Sequence, residues 1–273
     1  QEIWSTDGTP EGSRAVTSFG YFEPFGRSDS NSHLLVAGNR AYFLATTGLE
    51  PAQLWVTDEA GSTAAPLARI CAESDCISEQ QLHAIGSQVF FVGYDSDNGS
   101  ELWTTDGEPA GTRRLHDGCP GWCEGGGTVL ANAGGKLVFK ARREEFRDSG
   151  IYVVEAPWES AVSLYDELRD APTTEPNSTP SGAVDGETFY FAAFDSSGGL
   201  EPWVSTGSPA TTYQLADIFG PQEAGSYPSG FAAIDDTMIF SAGEDSNFDS
   251  FWFTEGSSAT TRRRRAVCSR SPS

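Results

Sequence analysis

The sequence predicts an all-β protein built from a repeated unit of about 50 residues. One landmark is an aromatic residue that recurs at intervals of 51, 48, 49, 51 and 49 residues: Trp4, Trp55, Trp103, Tyr152, Trp203 and Trp252. A second landmark, an apolar residue followed by Phe, ends 12 or 13 residues before each aromatic from Trp55 onward. Thirty Gly, 15 Pro and 12% aromatic residues are typical of many short strands joined by turns.

The third unit illustrates the strand pattern expected in all units. Apolar and β-branched runs predict strands over residues 82–86, 88–92, 102–104 and 112–115. A polar turn is expected over residues 95–100, and Asp106-Gly107 turn the chain before the fourth strand. Each unit is therefore expected to form a four-stranded antiparallel sheet.

Radial stacking of such sheets predicts a β-propeller, because the second and third strands are apolar on both faces. A β-solenoid is the alternative, although its rungs are usually shorter. The chain divides into a half unit and five full units, expected as one domain: 1–27, 28–75, 76–124, 125–172, 173–222 and 223–273. Five and a half units fit a piece of a propeller with six or more blades, an open array completed by a neighbouring molecule, or five blades with a spare hairpin.

An acidic or polar residue follows each landmark aromatic by three positions, and Gly usually comes next. The acidic residue is Asp in the first three units, at Asp7, Asp58 and Asp106. A carboxylate here accepts backbone N–H bonds across a tight turn, and Gly supplies the conformation that follows. We therefore expect these residues, with the landmark aromatics packed between sheets, to maintain the fold.

Residues 2–13 and 101–112 resemble the bacterial ELWxxDGTxxGT repeat. Residues 217–221 and 226–229 are similar to the next segment of that repeat, whereas Glu155-Ala156-Pro157 departs from it. The resemblance implies a secreted or surface-attached bacterial protein with a propeller fold and no established catalytic residues. The turn also resembles the structural Asp-box of sialidase-type propellers.

The net charge of -22 argues against nucleic acid as a partner, because phosphate binding requires a basic surface. It suits an acidic surface that repels other copies of itself. No segment reaches the roughly 18 consecutive apolar residues of a membrane helix, so no membrane span is expected.

The five cysteines predict two local disulfides and one cysteine without a partner. Cys71 and Cys119 each follow a landmark Trp by 16 residues, with Cys76 and Cys123 close behind. These pairs indicate disulfides and hence an extracytoplasmic compartment, with a zinc site as the alternative. Cys268 has the same register but no neighbour, so it is a candidate for pairing with another chain.

Residues 95–101 contain a candidate calcium site. Asp95, Asp97, Asn98 and Glu101 are hard oxygen ligands that alternate around Gly99, as in calcium-binding loops. The spacing is not that of an EF-hand, and a solvated hairpin turn explains the same residues. No cofactor is required by the sequence, and calcium is the one candidate.

A basic run, Arg262, Arg263, Arg264 and Arg265, falls on the predicted outermost strand of the last unit. One explanation is protection of an edge strand from aggregation. The other is a docking surface for the acidic body of a protein partner or of another copy.

Trp122 is a candidate ligand-binding residue, because it lies between two cysteines on a short constrained loop. Exposed aromatics of this kind stack on sugar rings, although packing of the loop is the alternative. His33, His83 and His116 are scattered, and no pair of carboxylates stands out as catalytic. The expected function is therefore a non-catalytic secreted or cell-surface protein for interaction, adhesion or assembly. The alternative is a carbohydrate-binding lectin or a glycan-active hydrolase on the same scaffold.

Overall fold

The structure is a computed structural model. It describes residues 2–17, 22–24, 34–47, 53–69, 82–117, 126–142, 149–164, 182–194, 199–220, 225–245 and 248–263. The chain forms two compact units. The first comprises Gln1–Val129, Ala141–Arg147 and Pro157–Ser160, and the second comprises Leu130–Lys140, Asp148–Ala156 and Ala161–Ser273.

The described residues form antiparallel sheets that follow one another along the chain, which confirms the predicted all-β class. Sheet I is the hairpin β1 (Trp4–Ser5) and β2 (Arg14–Ala15). Sheet II contains β3 (Phe22–Pro24), β4 (Leu34–Ala37), β5 (Arg40–Thr47), β6 (Gln53–Thr57) and β7 (Ala64–Arg69). Sheet III contains β8 (His83–Ile85), β9 (Gln88–Asp95), β10 (Gly99–Thr105) and β11 (Arg113–His116).

The remaining sheets repeat the four-stranded pattern. Sheet IV contains β12 (Thr128–Ala133), β13 (Lys136–Arg142), β14 (Ser149–Val154) and β15 (Val162–Ser163). Sheet V contains β16 (Gly182–Asp185), β17 (Thr188–Phe194), β18 (Leu200–Ser205) and β19 (Tyr213–Gln214). Sheet VI contains β20 (Ser229–Ile234), β21 (Thr237–Asp245), β22 (Phe248–Thr254) and β23 (Arg262–Arg263).

Two details differ from the sequence prediction. Sheet II has five strands, because β5 is long enough to pair with β4 along Arg40–Phe43 and with β3 along Ala45–Thr47. In sheet III, β9 and β10 extend to a terminal pair of Asp95 and Gly99. The turn is therefore shorter than residues 95–100, because the Asp95 carboxylate accepts N–H bonds from inside the turn and holds it tight.

Each full sheet has two faces that follow from the alternation of side chains along a strand. We call the face that meets the next sheet along the chain the leading face, and the opposite one the trailing face. In sheet II, Tyr42 and Leu54 lie on the leading face and pack against Val89 and Phe91 on the trailing face of sheet III. These side chains form the main core of the first compact unit.

The same order of faces builds the core of the second compact unit. Val138 and Ile151 on the leading face of sheet IV pack with Phe191 and Trp203 on the trailing face of sheet V. The leading face of sheet V then contributes Tyr190, Val204 and Leu215, which pack on Met238 of sheet VI. We call the strand that carries the landmark aromatic the signature strand of its sheet. In sheets II and V this strand is buried on both faces because it lies between two sheets.

Candidate binding surfaces

The turn after each signature strand is closed by the acidic residue that the sequence repeats. Asp7 Oδ1 accepts hydrogen bonds from the backbone N of Thr9 (2.9 Å) and from its hydroxyl (2.7 Å). Asp106 Oδ1 accepts from the backbone N of Glu108 at 2.9 Å. The hydrogen bonds from Thr9 hold the pKa of Asp7 below its usual value. In the two turns, the carboxylates act as backbone acceptors.

A steric constraint links this Asp to the residue five positions later. A Cβ added to Gly111 would lie 2.1 Å from Asp106 Oδ1, and one added to Gly12 would lie 2.0 Å from Asp7 Oδ1. In sheet V, where Thr206 replaces the acid, the corresponding residue is Thr211 instead of Gly. In the turns of sheets I and III, the carboxylate and the missing side chain therefore occupy the same space. The turn of sheet II is built differently, because Asp58 is followed five positions later by Thr63, whose hydroxyl donates to Asp58 Oδ2 at 2.9 Å.

The Gly that follows the Asp is covered by the preceding sheet. A Cβ on Gly107 would lie 2.6 Å from the Tyr42 hydroxyl, and Arg40 Nη1 donates to the Gly107 carbonyl at 2.9 Å. Arg40 also forms an ion pair with Glu108. The leading face of sheet II thus holds the turn of sheet III as well as its apolar residues.

A second junction repeats this arrangement with a lysine. Lys136 Nζ donates to the Thr206 carbonyl at 2.9 Å, and its side chain lies against Gly207. At the next junction the Tyr190 hydroxyl covers Gly256. The sequence analysis did not single out the first residue of the second strand. The signal was present in sheets II and IV, because Arg40 and Lys136 are both basic and lie in the same register.

The candidate calcium loop is closed by its own hydrogen bonds. Asp95 Oδ1 accepts from the backbone N of Asp97 (2.9 Å) and of Asn98 (2.8 Å), and from the Asn98 amide at 2.8 Å. Glu101 is fully buried within β10. No group of three or more His, Cys, Asp or Glu side chains that could hold a metal occurs among the described residues. The Asp95 carboxylate is thus already engaged in the hairpin.

A buried carboxylate that sequence reasoning missed lies two positions before Trp203. Glu201 is 1% exposed, and its Oε1 and Oε2 accept from the backbone N of Ser226 and of Ile218, both at 3.0 Å. The Ser226 hydroxyl donates to Oε2 at 2.7 Å. Burial raises the pKa of Glu201, while the Ser226 hydrogen bond opposes that rise. Glu201 therefore ties the connection between sheets V and VI to the signature strand.

A groove of ≈ 400 Å³ in the first compact unit brings two aromatic side chains together. Its lining includes Leu67, Tyr94, Asp95, Trp103 and Pro109. Among the described residues, the buried indole N–H of Trp103 has no hydrogen-bond acceptor. The two aromatic rings together with polar lining residues such as Ser96 suit a ligand that has both a flat apolar side and hydroxyl groups.

The leading face of sheet VI is apolar and exposed. Phe251 is 67% exposed, whereas its counterparts in sheets II, III and IV, Leu54, Leu102 and Ile151, are at most 1% exposed. Ile234 is 58% exposed, and a groove of ≈ 360 Å³ on this face is lined by Ile239, Phe253 and Arg262 among others. This surface has the composition of an interior sheet face but is open to solvent.

The structure describes only some of the other residues that the sequence singled out. Arg262 and Arg263 form β23 and are exposed. Trp55, Trp103 and Trp203 belong to or pack against the hydrophobic cores, and Trp252 pairs with Arg263 across the sheet. Several candidates lie outside the described residues: Cys71, Cys76, Cys119, Cys123, Cys268, Trp122, Arg264 and Arg265.

Comparisons with known proteins identify no family. No protein-family model matches the sequence, and no curated protein matches it. A puromycin hydrolase structure is similar with 14% identity and a TM-score of 0.48 over 98% of this chain and 43% of that one. TolB from Acinetobacter baumannii is similar with 12% identity and a TM-score of 0.36 over 95% of this chain and 58% of that one.

A third similar structure is an oligogalacturonate lyase in complex with manganese, with 12% identity and a TM-score of 0.43. It is matched over 92% of this chain and 70% of that one. This chain spans less than half of the puromycin hydrolase. At TM-scores below 0.5, these likenesses support no statement about activity. Among the described residues, no helix is long and apolar enough to cross a membrane.

Proposed function

We propose that this chain is a non-catalytic scaffold of the β-propeller type that acts by interaction, adhesion or assembly. We place it outside the bacterial cytoplasm, on the cell surface or secreted, as the resemblance to the ELWxxDGT repeat implies. The observation that carries the proposal is the open leading face of sheet VI, where Phe251 is 67% exposed. Contiguous exposed apolar residues bounded by charged groups are typical of protein–protein contact sites.

The arrangement of the repeated residues supports the same proposal. The Asp carboxylates at the turns accept backbone hydrogen bonds, and Glu201 is hydrogen-bonded inside the sheet. These are structural roles that stabilise the array. Within the described ranges, the surfaces best suited to recognition are then the exposed sheet face and the grooves.

A binding comparison with matched variants tests this function. The wild type, Phe251→Ser and Tyr227→Ser are immobilised and exposed to panels of extracellular proteins and of polysaccharides. Tyr227 is the control, because it is 62% exposed in the same compact unit but lies off the sheet face. We expect at least one protein ligand whose binding is lost with Phe251→Ser and retained with Tyr227→Ser.

The same samples are tested for turnover of glycosidic and peptide substrates. We expect none. Turnover that follows the wild-type protein through purification and survives Phe251→Ser would show that the chain is an enzyme and that the proposal is wrong.

The second candidate is carbohydrate binding in the groove beside Trp103. The observation that favours it is the presence of Trp103 and Tyr94 in the lining of one groove. Aromatic faces stack on sugars, and a polar lining residue such as Ser96 supplies orientation. This candidate predicts saturable quenching of tryptophan fluorescence by an oligosaccharide. Trp103→Phe should weaken binding and Trp252→Phe should leave it unchanged; equal binding by both variants would exclude the groove.

A further inference from the structure

The interior junctions of the fold combine an apolar contact with a polar contact to the following turn. A leading face covers the aromatic residues of the following trailing face. In sheets II and IV, a basic residue at the start of the second strand also reaches the following turn, and elsewhere the fourth strand supplies the donor, at Arg14, Arg113 and Tyr213. Arg40 donates to the Gly107 carbonyl, and Lys136 lies against Gly207 with its nearest side-chain atom 2.8 Å from an added Cβ. These contacts recur in the two compact units, so they define what a leading face binds in this protein.

Sheet I presents the complementary surface without a cover. Trp4 is 60% exposed, whereas Trp55 and Trp203 at the same register are at most 8% exposed. An added Cβ on Gly8 meets no atom within 4 Å, in contrast to Gly107 and Gly207. Ile3, on the opposite side of the hairpin, packs against sheet II. The hairpin is therefore anchored by its leading side and open on its trailing side.

Sheet VI presents the other half of the same junction. Phe251 and Phe253 occupy the positions of Leu54 and Val56 in sheet II, and Ile239 occupies the position of Tyr42. Thr237 stands where sheets II and IV have a basic residue, as Thr188 does in sheet V. Arg262 pairs with Phe253 and supplies a guanidinium on the same face, in the register from which Tyr213 of sheet V donates to the Gly256 carbonyl. Arg262 is exposed and lines the groove, where its donors can reach the carbonyl of a turn Gly as those of Arg40 do.

We propose that the leading face of sheet VI binds sheet I of a second copy of this chain. In this junction Trp4 of one copy covers Phe251 and Ile239 of the other, and Arg262 donates to the backbone of the Asp7-Gly8 turn. The inference rests on the proposed assembly function and names its partner. The two halves of the junction are different surfaces, so the contact is heterologous and produces rings or open chains of copies instead of a closed two-fold dimer.

Charge sets the conditions under which the junction forms. Each copy has a net charge of -22, and Asp235 and Glu255 also line the groove of sheet VI. Two copies therefore repel each other at low ionic strength, and salt screens this repulsion more than it weakens the apolar contact. Association through this junction is expected to strengthen as salt is raised from about 0.02 M to 0.5 M.

Two complementary variants test the junction. Phe251→Ser disables the sheet VI face and leaves sheet I intact, whereas Trp4→Ser disables sheet I and leaves the face intact. Light scattering over a range of concentrations should show wild type growing beyond the 29.2 kDa monomer. Each variant alone should lose association at least about tenfold, because a central aromatic contact is removed. An equimolar mixture should form a heterodimer of about twice the monomer mass, since one intact junction remains per pair.

Three controls keep the outcome decisive. Ile234→Ser is an independent variant of the same face and should behave like Phe251→Ser, while Tyr227→Ser should associate like the wild type. Thermal unfolding shows that each variant is folded, which the exposure of the replaced side chains favours. Association of Trp4→Ser at the wild-type level, or variants that do not pair when mixed, overturns the proposal.

The proposal is also overturned if the wild-type chain stays monomeric at every protein concentration and salt concentration tested. This holds whether the sheet VI face is open or covered by the chain's own hairpin. The proposed function is separable from this result. If the chain is monomeric but Phe251→Ser still abolishes binding to another protein, the self-association is wrong and the scaffold function stands.

Discussion

Gly111→Ala is expected to destabilise the protein, and the cause is a steric conflict between the new side chain and the carboxylate of Asp106. The added Cβ would lie 2.1 Å from Oδ1, 2.3 Å from Cγ and 2.4 Å from Oδ2 of Asp106, far inside contact distance. The exposed carboxylate must therefore rotate away and give up its hydrogen bond from the backbone N of Glu108. A hydrogen bond to a charged group contributes about 1.5–3 kcal/mol, and exposure to water places this one near the lower end.

The magnitude follows from a double-mutant cycle. Replacing Gly by Ala at an unstrained position stabilises by about 0.4–1 kcal/mol, so the net cost of Gly111→Ala is about 1 kcal/mol. Asp106→Thr alone removes the same hydrogen bond and costs about as much. In the double variant the clash is gone and the alanine becomes neutral or favourable, as Thr206 with Thr211 in sheet V indicates. The coupling energy between the two sites is therefore about 1–2 kcal/mol.

Thermal and denaturant unfolding of the four proteins measure this coupling. A change of 1 kcal/mol corresponds to about 2–4 °C in the midpoint for a protein of this size. We expect the double variant to be more stable than the sum of the two single effects predicts. Strictly additive effects would refute the reasoning, because they would show that the carboxylate and the Gly111 position do not compete for space.

Three further predictions concern other contacts. Arg40→Met should lower the free energy of unfolding by about 1–2 kcal/mol, because the Gly107 carbonyl and Glu108 lose a donor; an unchanged midpoint in guanidinium titration would contradict this. The raised pKa of Glu201 means that the folded state binds its proton more tightly than the unfolded state. The wild type should therefore lose stability relative to Glu201→Gln as pH rises above about 4.3, the ordinary pKa of a Glu side chain, and a pH-independent difference in midpoint would contradict this. Asp95→Ala should cost about 1–2 kcal/mol equally in calcium and in chelator, because its oxygens already accept turn hydrogen bonds; a stabilisation of wild type by calcium that the variant lacks would restore the calcium site.

The fold class could be predicted because the residue patterns that specify strands and turns involve only a few neighbouring residues. Apolar alternation and turn residues fix strands of a few residues, and the same spacing recurs in each unit. The Asp–Gly relation in the turns was also present as letters, since Asp7 and Asp106 precede Gly five residues later while Thr206 precedes Thr211. The physical cause of this relation cannot be read from the sequence, because the steric conflict between Asp106 and a side chain at Gly111 depends on the bend of the 3₁₀ turn at Pro109–Gly111.

Contacts between sheets were less accessible to sequence reasoning. Arg40 and the Gly107 carbonyl are 67 residues apart, and nothing in the local pattern pairs them. Glu201 was hidden for a different reason. A Glu two positions before the aromatic also occurs at Glu2 and Glu101 and is read as part of the repeat, so only burial with three donors identifies Glu201 as a structural anchor.

The leading face of sheet VI shows the limit of composition as a guide. Phe251 and Phe253 are as apolar as Leu54 and Val56, and the hydrophobic pattern of β22 gives no sign that its face is open. A residue pattern records which side chains favour burial, but the neighbour that buries them lies elsewhere in space or in another molecule. Arg262 lies in the register of Arg14, Arg113 and Tyr213, whose side chains donate to backbone carbonyls in the turns of sheets II, IV and VI. The fourth strand of sheet VI therefore puts a guanidinium at the rim of the groove, where an arriving hairpin turn would meet it. A junction between copies would thus use the same donor position as junctions inside the chain.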